Sequence, residues 1–266
     1  MIDHTQLVKM CSAFIEPTSI VSTERLLNGF SNDNFLIRTQ QHAYLLKYYK
    51  SKWPTVGLKA QHDLSYQYIC PKPIWTDEVN KYAAFDYIEG DIAQAGFSKD
   101  LINKLIKVHN YTVSTTRMNI TRELIFYQCS NVYQQNKSHL ERALKAIANM
   151  PFNEGFCHND LVKENIIVNG SGMYLIDFEY AQINDVYFDL AAIVVSFNLD
   201  ERCKLALLEN YESCVKHESG FYSSMHKLDC YALVFLVLCI GWYEQRDINS
   251  KSLGLRAQLT KLISHL

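Results

Sequence analysis

Hydrophobic and polar positions change their period near residue 90, and that change divides the chain. Before it, short apolar runs separated by polar clusters have the spacing of strands: Leu26 and Leu27, then 35–38, 43–49, Ile74 and Trp75, and 82–90. One helical stretch, 56–69, interrupts them and is stopped by Pro71 and Pro73. A short helix is expected at the start of the chain. Beyond Asp91 the period becomes helical: Ser98 is placed to cap a helix over 99–110, with Leu101, Leu105 and Val108 on one face. A second helical region runs over about 121–150, with a break near Asn136, and ends at Pro151. The period then returns to that of strands. Ile166, Ile167 and Val168, the turn Asn169-Gly170-Ser171-Gly172 and a second strand ending at Asp177 read as a hairpin. Another helix opens at Asp189, its expected cap, and the uncharged run 231–243 reads as a buried helix, too short to span a bilayer.

Composition narrows the classes of partner. The 266 residues are 48% hydrophobic and 20% charged, enough for a packed core, and a net charge of −2 with interspersed signs offers no stripe for nucleic acid or an anionic membrane. Eight cysteines with no CxxC pair and no apolar leader ahead of them imply free thiols and a cytoplasmic location. A monomer is expected.

Candidate chemistry concentrates in 158–179. Asp160 and Asn165 lie five positions apart on a loop, and the hairpin that follows delivers Asp177. Phosphoryl transfer asks for a carboxylate to orient and deprotonate the attacking hydroxyl, and for oxygen ligands to hold Mg²⁺ on the phosphates. Asp160 suits the first role. Asn165 and Asp177 suit the second, because Mg²⁺ prefers carboxylate and amide oxygens.

His158, Asp160 and Asn165 followed by Asp177-Phe178-Glu179 resemble the kinase-like small-molecule kinases: aminoglycoside phosphotransferases, choline and ethanolamine kinases and bacterial thiamine kinases. Asn159 stands where protein kinases have Arg, and Glu179 where they have Gly. The resemblance implies an α+β, two-lobed protein-kinase-like fold with an antiparallel sheet in a small N-terminal lobe and a larger, mainly helical C-terminal lobe. Its expected boundaries are 1–85 for the ATP-binding lobe, 86–90 for a hinge, and 91–266 for the catalytic and acceptor-binding lobe. It also implies ATP as phosphoryl donor. Gly29, Ser31 and Asn32 would cover the ATP phosphates, Lys47 would reach them, and the backbone of Asp86, Tyr87 and Ile88 would hold adenine. The acid that holds the lysine in many kinases is missing, since 56–69 contains no Glu, and Asp63 is the nearest substitute. His109, His158 and Asp189 are expected to be structural.

The acceptor is expected on the helical lobe. Trp242, Tyr243 and Glu244 follow the apolar helix, and Glu179, Tyr180, Asp185 and Tyr187 follow Asp177; aromatic faces beside carboxylates suit an organic cation. Thiamine is the first expectation, choline or ethanolamine the second. An aminoglycoside-type phosphotransferase and an inactive, nucleotide-binding regulatory protein are the alternatives.

Overall fold

A computed structural model describes residues 4–26, 31–94, 96–215 and 220–266. Two compact units emerge: Met1–Asp91 with Ile167–Glu179, and Ile92–Ile166 with Tyr180–Leu266. The first holds α1 (His4–Cys11), β1 (Ile20–Leu26), β2 (Asp33–Thr39), β3 (Ala43–Tyr48), α2 (Thr55–Ser65), β4 (Pro73–Asp77) and β5 (Tyr82–Asp86). Its five strands form an antiparallel sheet in the order β1-β2-β3-β5-β4. The two-residue period sorts their side chains. Phe35, Ile37, Leu46 and Ala84 pack with Leu7 and Cys11 of α1, while Ala83, Phe85 and Tyr49 pack with Leu58 of α2. Helix α2 stops at Ser65, four residues before the expected end, because the chain turns into the left-handed region at Tyr68, φ 56°.

The remaining chain runs through β6 (Asp91–Ile92), α3 (Lys99–His109), α4 (Ile120–Ile125), α5 (Asn131–Ala148) and β7 (Glu154–Cys157). The hairpin β8 (Ile166–Asn169) and β9 (Gly172–Leu175) follows, then β10 (Gln182–Asp185), α6 (Tyr187–Ser196), α7 (Glu201–Cys214), α8 (Met225–Glu244) and α9 (Asn249–Ile263). Ser98 caps α3 by accepting the Leu101 N–H at 3.1 Å, as its position implied. The break in the second helical region falls before Asn131. Ser130 caps α5, and the Asn136 side chain donates to the Val132 carbonyl at 2.8 Å, so Asn136 stays inside the helix. Strands β7 and β10 pair antiparallel, from Gln182 opposite Cys157 to Asp185 opposite Glu154.

Helices α6 and α8 are buried on nearly every side, which explains why they lack an amphipathic stripe. Helix α8 is longer than the apolar run alone predicts. At 20 residues it has the length and composition to cross a membrane, and 67% of its apolar window is buried inside the protein.

Candidate active site

In the first unit the site is built on the face of β3 turned toward α2. Lys47 is 5% exposed, and its ammonium is paired with Asp177 Oδ1. Asp177 follows β9 in a left-handed turn, φ 67°, a conformation Asp tolerates better than most residues. The counter-ion of Lys47 is therefore Asp177 and not Asp63, whose side chain is 43% exposed beside His62 on the outer face of α2. Tyr49 lies two residues beyond Lys47 and places its ring 5.0 Å from the ammonium. Burial, then the charges of Asp177 and Glu179, hold its phenol well above the ordinary range.

The segment after Asp177 is pinned from two sides. Asn32, 5% exposed, donates to Glu179 Oε2 at 2.6 Å and accepts the Lys50 N–H at 3.3 Å. At Gly57 an added Cβ would sit 2.0 Å from the Phe178 carbonyl oxygen, so only glycine lets α2 approach this closely. Ser31 is half-buried, and Gly29 lies outside the described residues. Of the three residues expected at adenine, two have their backbone N–H groups engaged within the protein. The Asp86 N–H is spent on the Lys72 carbonyl at 3.3 Å and the Tyr87 N–H on the Ala43 carbonyl at 3.0 Å. Among the described residues the Ile88 N–H has no protein partner.

In the second unit the loop after β7 carries the carboxylate. Asn159 adopts φ 63°, and its amide nitrogen donates to the carbonyls of Cys157, Tyr180 and Gln182 at 3.3, 3.0 and 3.2 Å. Its Oδ1 accepts from Asn184 at 2.8 Å. Wholly buried Asp189 accepts the backbone N–H groups of His158 and Asn159 at 2.7 and 2.8 Å. It braces the loop as expected but does not cap α6, which starts two residues earlier, with the Tyr187 N–H on Asp185 Oδ1 at 3.1 Å. His158 is fully buried.

Asp160 is aimed by its neighbour. Asn165 donates from Nδ2 to the Asp160 carbonyl at 2.8 Å and to Asp160 Oδ2 at 3.0 Å. Among the described residues this leaves Asn165 Oδ1 without a donor, as it leaves Oδ2 of Asp177, whose other oxygen is held by Lys47. An amide oxygen and a carboxylate oxygen are donors that fit Mg²⁺.

The acceptor candidates divide into two groups. Asp185 is 1% exposed and ion-paired at 2.6 Å with fully buried Lys227, so it is corrected to a structural carboxylate. Glu244 is likewise corrected: Arg256 holds its Oε1, and Oε2 accepts the Val132 N–H at 3.3 Å. Trp242 and Tyr243 meet edge to face at 5.1 Å, with the Arg246 guanidinium 3.9 Å from the Trp242 ring centre. Tyr243 is half-buried near the end of α8. Burial raises its phenol first, and then Cys239, one turn earlier on α8, Glu164 and Asp160. Tyr49 was legible, since strand period puts it on the face of Lys47.

A transferred phosphoryl group needs a fixed carboxylate at the attacking oxygen and cationic charge around the phosphates. The second unit holds a carboxylate, Asp160, fixed by Asn165, and the first holds a buried cation, Lys47, groups of the kinds that phosphoryl transfer uses. Comparison with known proteins makes this narrower: the profile of the phosphotransferase enzyme family matches residues 22–221, and the chain belongs to that family. Protein LicA of Haemophilus influenzae is 30% identical over 100 residues, 37% of this chain and 38% of LicA. The thiamine kinase of Salmonella newport is 30% identical over 89 residues, 34% of this chain and 31% of that enzyme. The aligned stretch thus spans between about a third and two fifths of either relative. The crystal structure of choline kinase LicA from Streptococcus pneumoniae shares the fold, with a TM-score of 0.79 at 21% identity over 98% of each chain.

Proposed function

We propose that this protein transfers the γ-phosphoryl group of ATP, with Mg²⁺, to the hydroxyl of a small organic cation, with choline as first acceptor and thiamine as second. The observation that carries the reading is the double hydrogen bond from Asn165 that fixes Asp160. A carboxylate held in this way is oriented to receive a hydroxyl proton as the oxygen attacks. Lys47, buried and already paired with Asp177, provides cationic charge for the phosphates. Asn165 and Asp177 would hold Mg²⁺, which when bound neutralises charge developing on the phosphates. The Ile88 N–H is the donor for adenine, in a hinge over 86–90 between an ATP-binding lobe over 1–85 and a catalytic lobe over 91–266.

A cationic acceptor suits the ring of Tyr243, whose phenol is raised by burial first and then by Cys239 and the negative charges of Glu164 and Asp160. Choline moves ahead of thiamine because the name of the full-length structural neighbour carries choline, whereas the thiamine kinase match covers a third of this chain. The test is ADP release by purified protein with ATP and Mg²⁺ across choline, thiamine, ethanolamine and an aminoglycoside. Choline is expected to stimulate turnover most, and Asp160→Asn to lower kcat by about a thousandfold while ATP still binds. Turnover with thiamine alone would reverse the order of acceptors. ATP binding with no turnover on any of the four would overturn the phosphotransfer reading in favour of a nucleotide-binding regulator.

A further inference from the structure

Behind the loop that carries Asp160 lies a buried group the proposed chemistry does not use. His109 at the end of α3 offers Nε2 to Asp189 Oδ2 at 3.1 Å and Nδ1 to the Tyr211 hydroxyl of α7 at 2.6 Å. Tyr211 is 3% exposed, His109 6% and Asp189 0%. The ligand atoms of His109, Cys157 and Asp189 also lie within 4.8 Å of one another, a set of residue types that suits zinc. Hydrogen bonding argues against that use. Asp189 already accepts three donors, the third from His109, and burial followed by the charges of Asp189 and Asp185 holds the Cys157 thiol well above its ordinary range, whereas a metal needs the thiolate.

We infer that Tyr211 is a positioning residue for phosphoryl transfer, setting the loop that carries Asp160 through a relay of hydrogen bonds by way of His109 and Asp189. The polarity of the relay is fixed by its ends. The Asp189 carboxylate accepts, so Nε2 of His109 carries a proton, and in the neutral imidazole Nδ1 then presents a lone pair. Tyr211 donates to that lone pair, and its phenol stays protonated because burial and its negative neighbours raise it well above the ordinary value. With its tautomer and ring plane locked, His109 holds Asp189 Oδ2 at the point where it also takes the His158 N–H, two residues before Asp160. The inference rests on the phosphotransferase reading for its effect on rate, but not for its geometry.

Two measurements test it. In imidazole ¹⁵N spectra of the full chain, with His109 assigned by its loss in His109→Gln, the wild type should show the Nε2–H tautomer. Tyr211→Phe should shift both nitrogens. In the choline assay Tyr211→Phe should lower kcat about five- to tenfold, the size of one lost buried hydrogen bond, with the KM for ATP within about twofold. Tyr211→Phe combined with His109→Gln should cost no more than the worse single change, because both cut one relay. Phe221→Leu, which thins the packing 5.0 Å from the Tyr211 ring and leaves the hydroxyl in place, should keep kcat. An Nδ1–H tautomer in the wild type, unchanged nitrogens in Tyr211→Phe, additive losses, or an equal fall in kcat for Phe221→Leu would each overturn the relay. Should no acceptor be turned over, the phosphotransfer reading fails, and the tautomer measurement decides the relay alone.

Discussion

Replacing Lys227 by Met should unsettle the strand pair that leads into the loop carrying Asp160, and the size of the effect follows from its contacts. Lys227 is fully buried and ion-paired with Asp185 at 2.6 Å, and it donates to the Pro151 carbonyl at 2.7 Å and to Asn153 Oδ1 at 2.8 Å. Met fills the same volume, so the cost is electrostatic. An unpaired buried carboxylate costs about 3–5 kcal/mol, and the orphaned Pro151 carbonyl about 1 kcal/mol more. For a chain of this length about 2 °C of Tm accompanies each kcal/mol, giving a fall of about 8–12 °C. The double variant Lys227→Met/Asp185→Asn removes the stranded charge while keeping an acceptor for the Tyr187 N–H, and should recover more than half of the loss.

The pH dependence has a definite sign. Burial holds Lys227 below its ordinary 10.5, so between the lowered value and 10.5 the unfolded chain binds more protons and stability rises with pH. Burial likewise holds Asp185 above its ordinary 3.8, so between 3.8 and the raised value the folded chain binds more protons and stability falls as pH rises. The double variant should lose both slopes. Thermal melts of the three proteins across pH measure all of this. A single variant that melts within 2 °C of wild type, or a double variant no better than the single, would refute the reasoning.

Further perturbations reach the other unit. Lys47→Met should weaken ATP binding and lower kcat by about a hundredfold or more, because it also strips Asp177 of its counter-ion; equilibrium dialysis with ATP and turnover measured side by side will check both. Gly57→Ala drives a Cβ to within 2.0 Å of the Phe178 carbonyl oxygen and should cost about 1–3 kcal/mol by overpacking, read from chemical denaturation, with ATP affinity reduced because Asp177 adjoins the displaced residue.

The two-period pattern of the sequence was enough to place β2, β3, β5, α3 and the hairpin, since each is set by local alternation and by a turn or cap. The placement of Asp160, Asn165 and Asp177 was legible for a related reason, since it follows from local spacing along a short loop and hairpin. What could not be read was pairing across the sequence. The partner of Lys47 lies 130 residues away, and no local pattern distinguishes Asp177 from Asp63 as its counter-ion. Asp185 and Glu244 failed as acceptor carboxylates for the same reason, because Lys227 and Arg256 claim them from other helices. The break placed at Asn136 was misread because a side chain bonded one turn back leaves a helix intact, while the cap at Ser130 is what begins α5.

Asn159 has a consequence for control. A protein kinase keeps an arginine at this position, and a cation can be engaged or released by adding a phosphate. Here a neutral amide clasps three carbonyl oxygens and is itself clasped by Asn184, entirely through hydrogen bonds within the loop and the strand beside it. Such a clasp closes as the chain folds. The Asn159 side chain carries no cation for an added phosphate to engage.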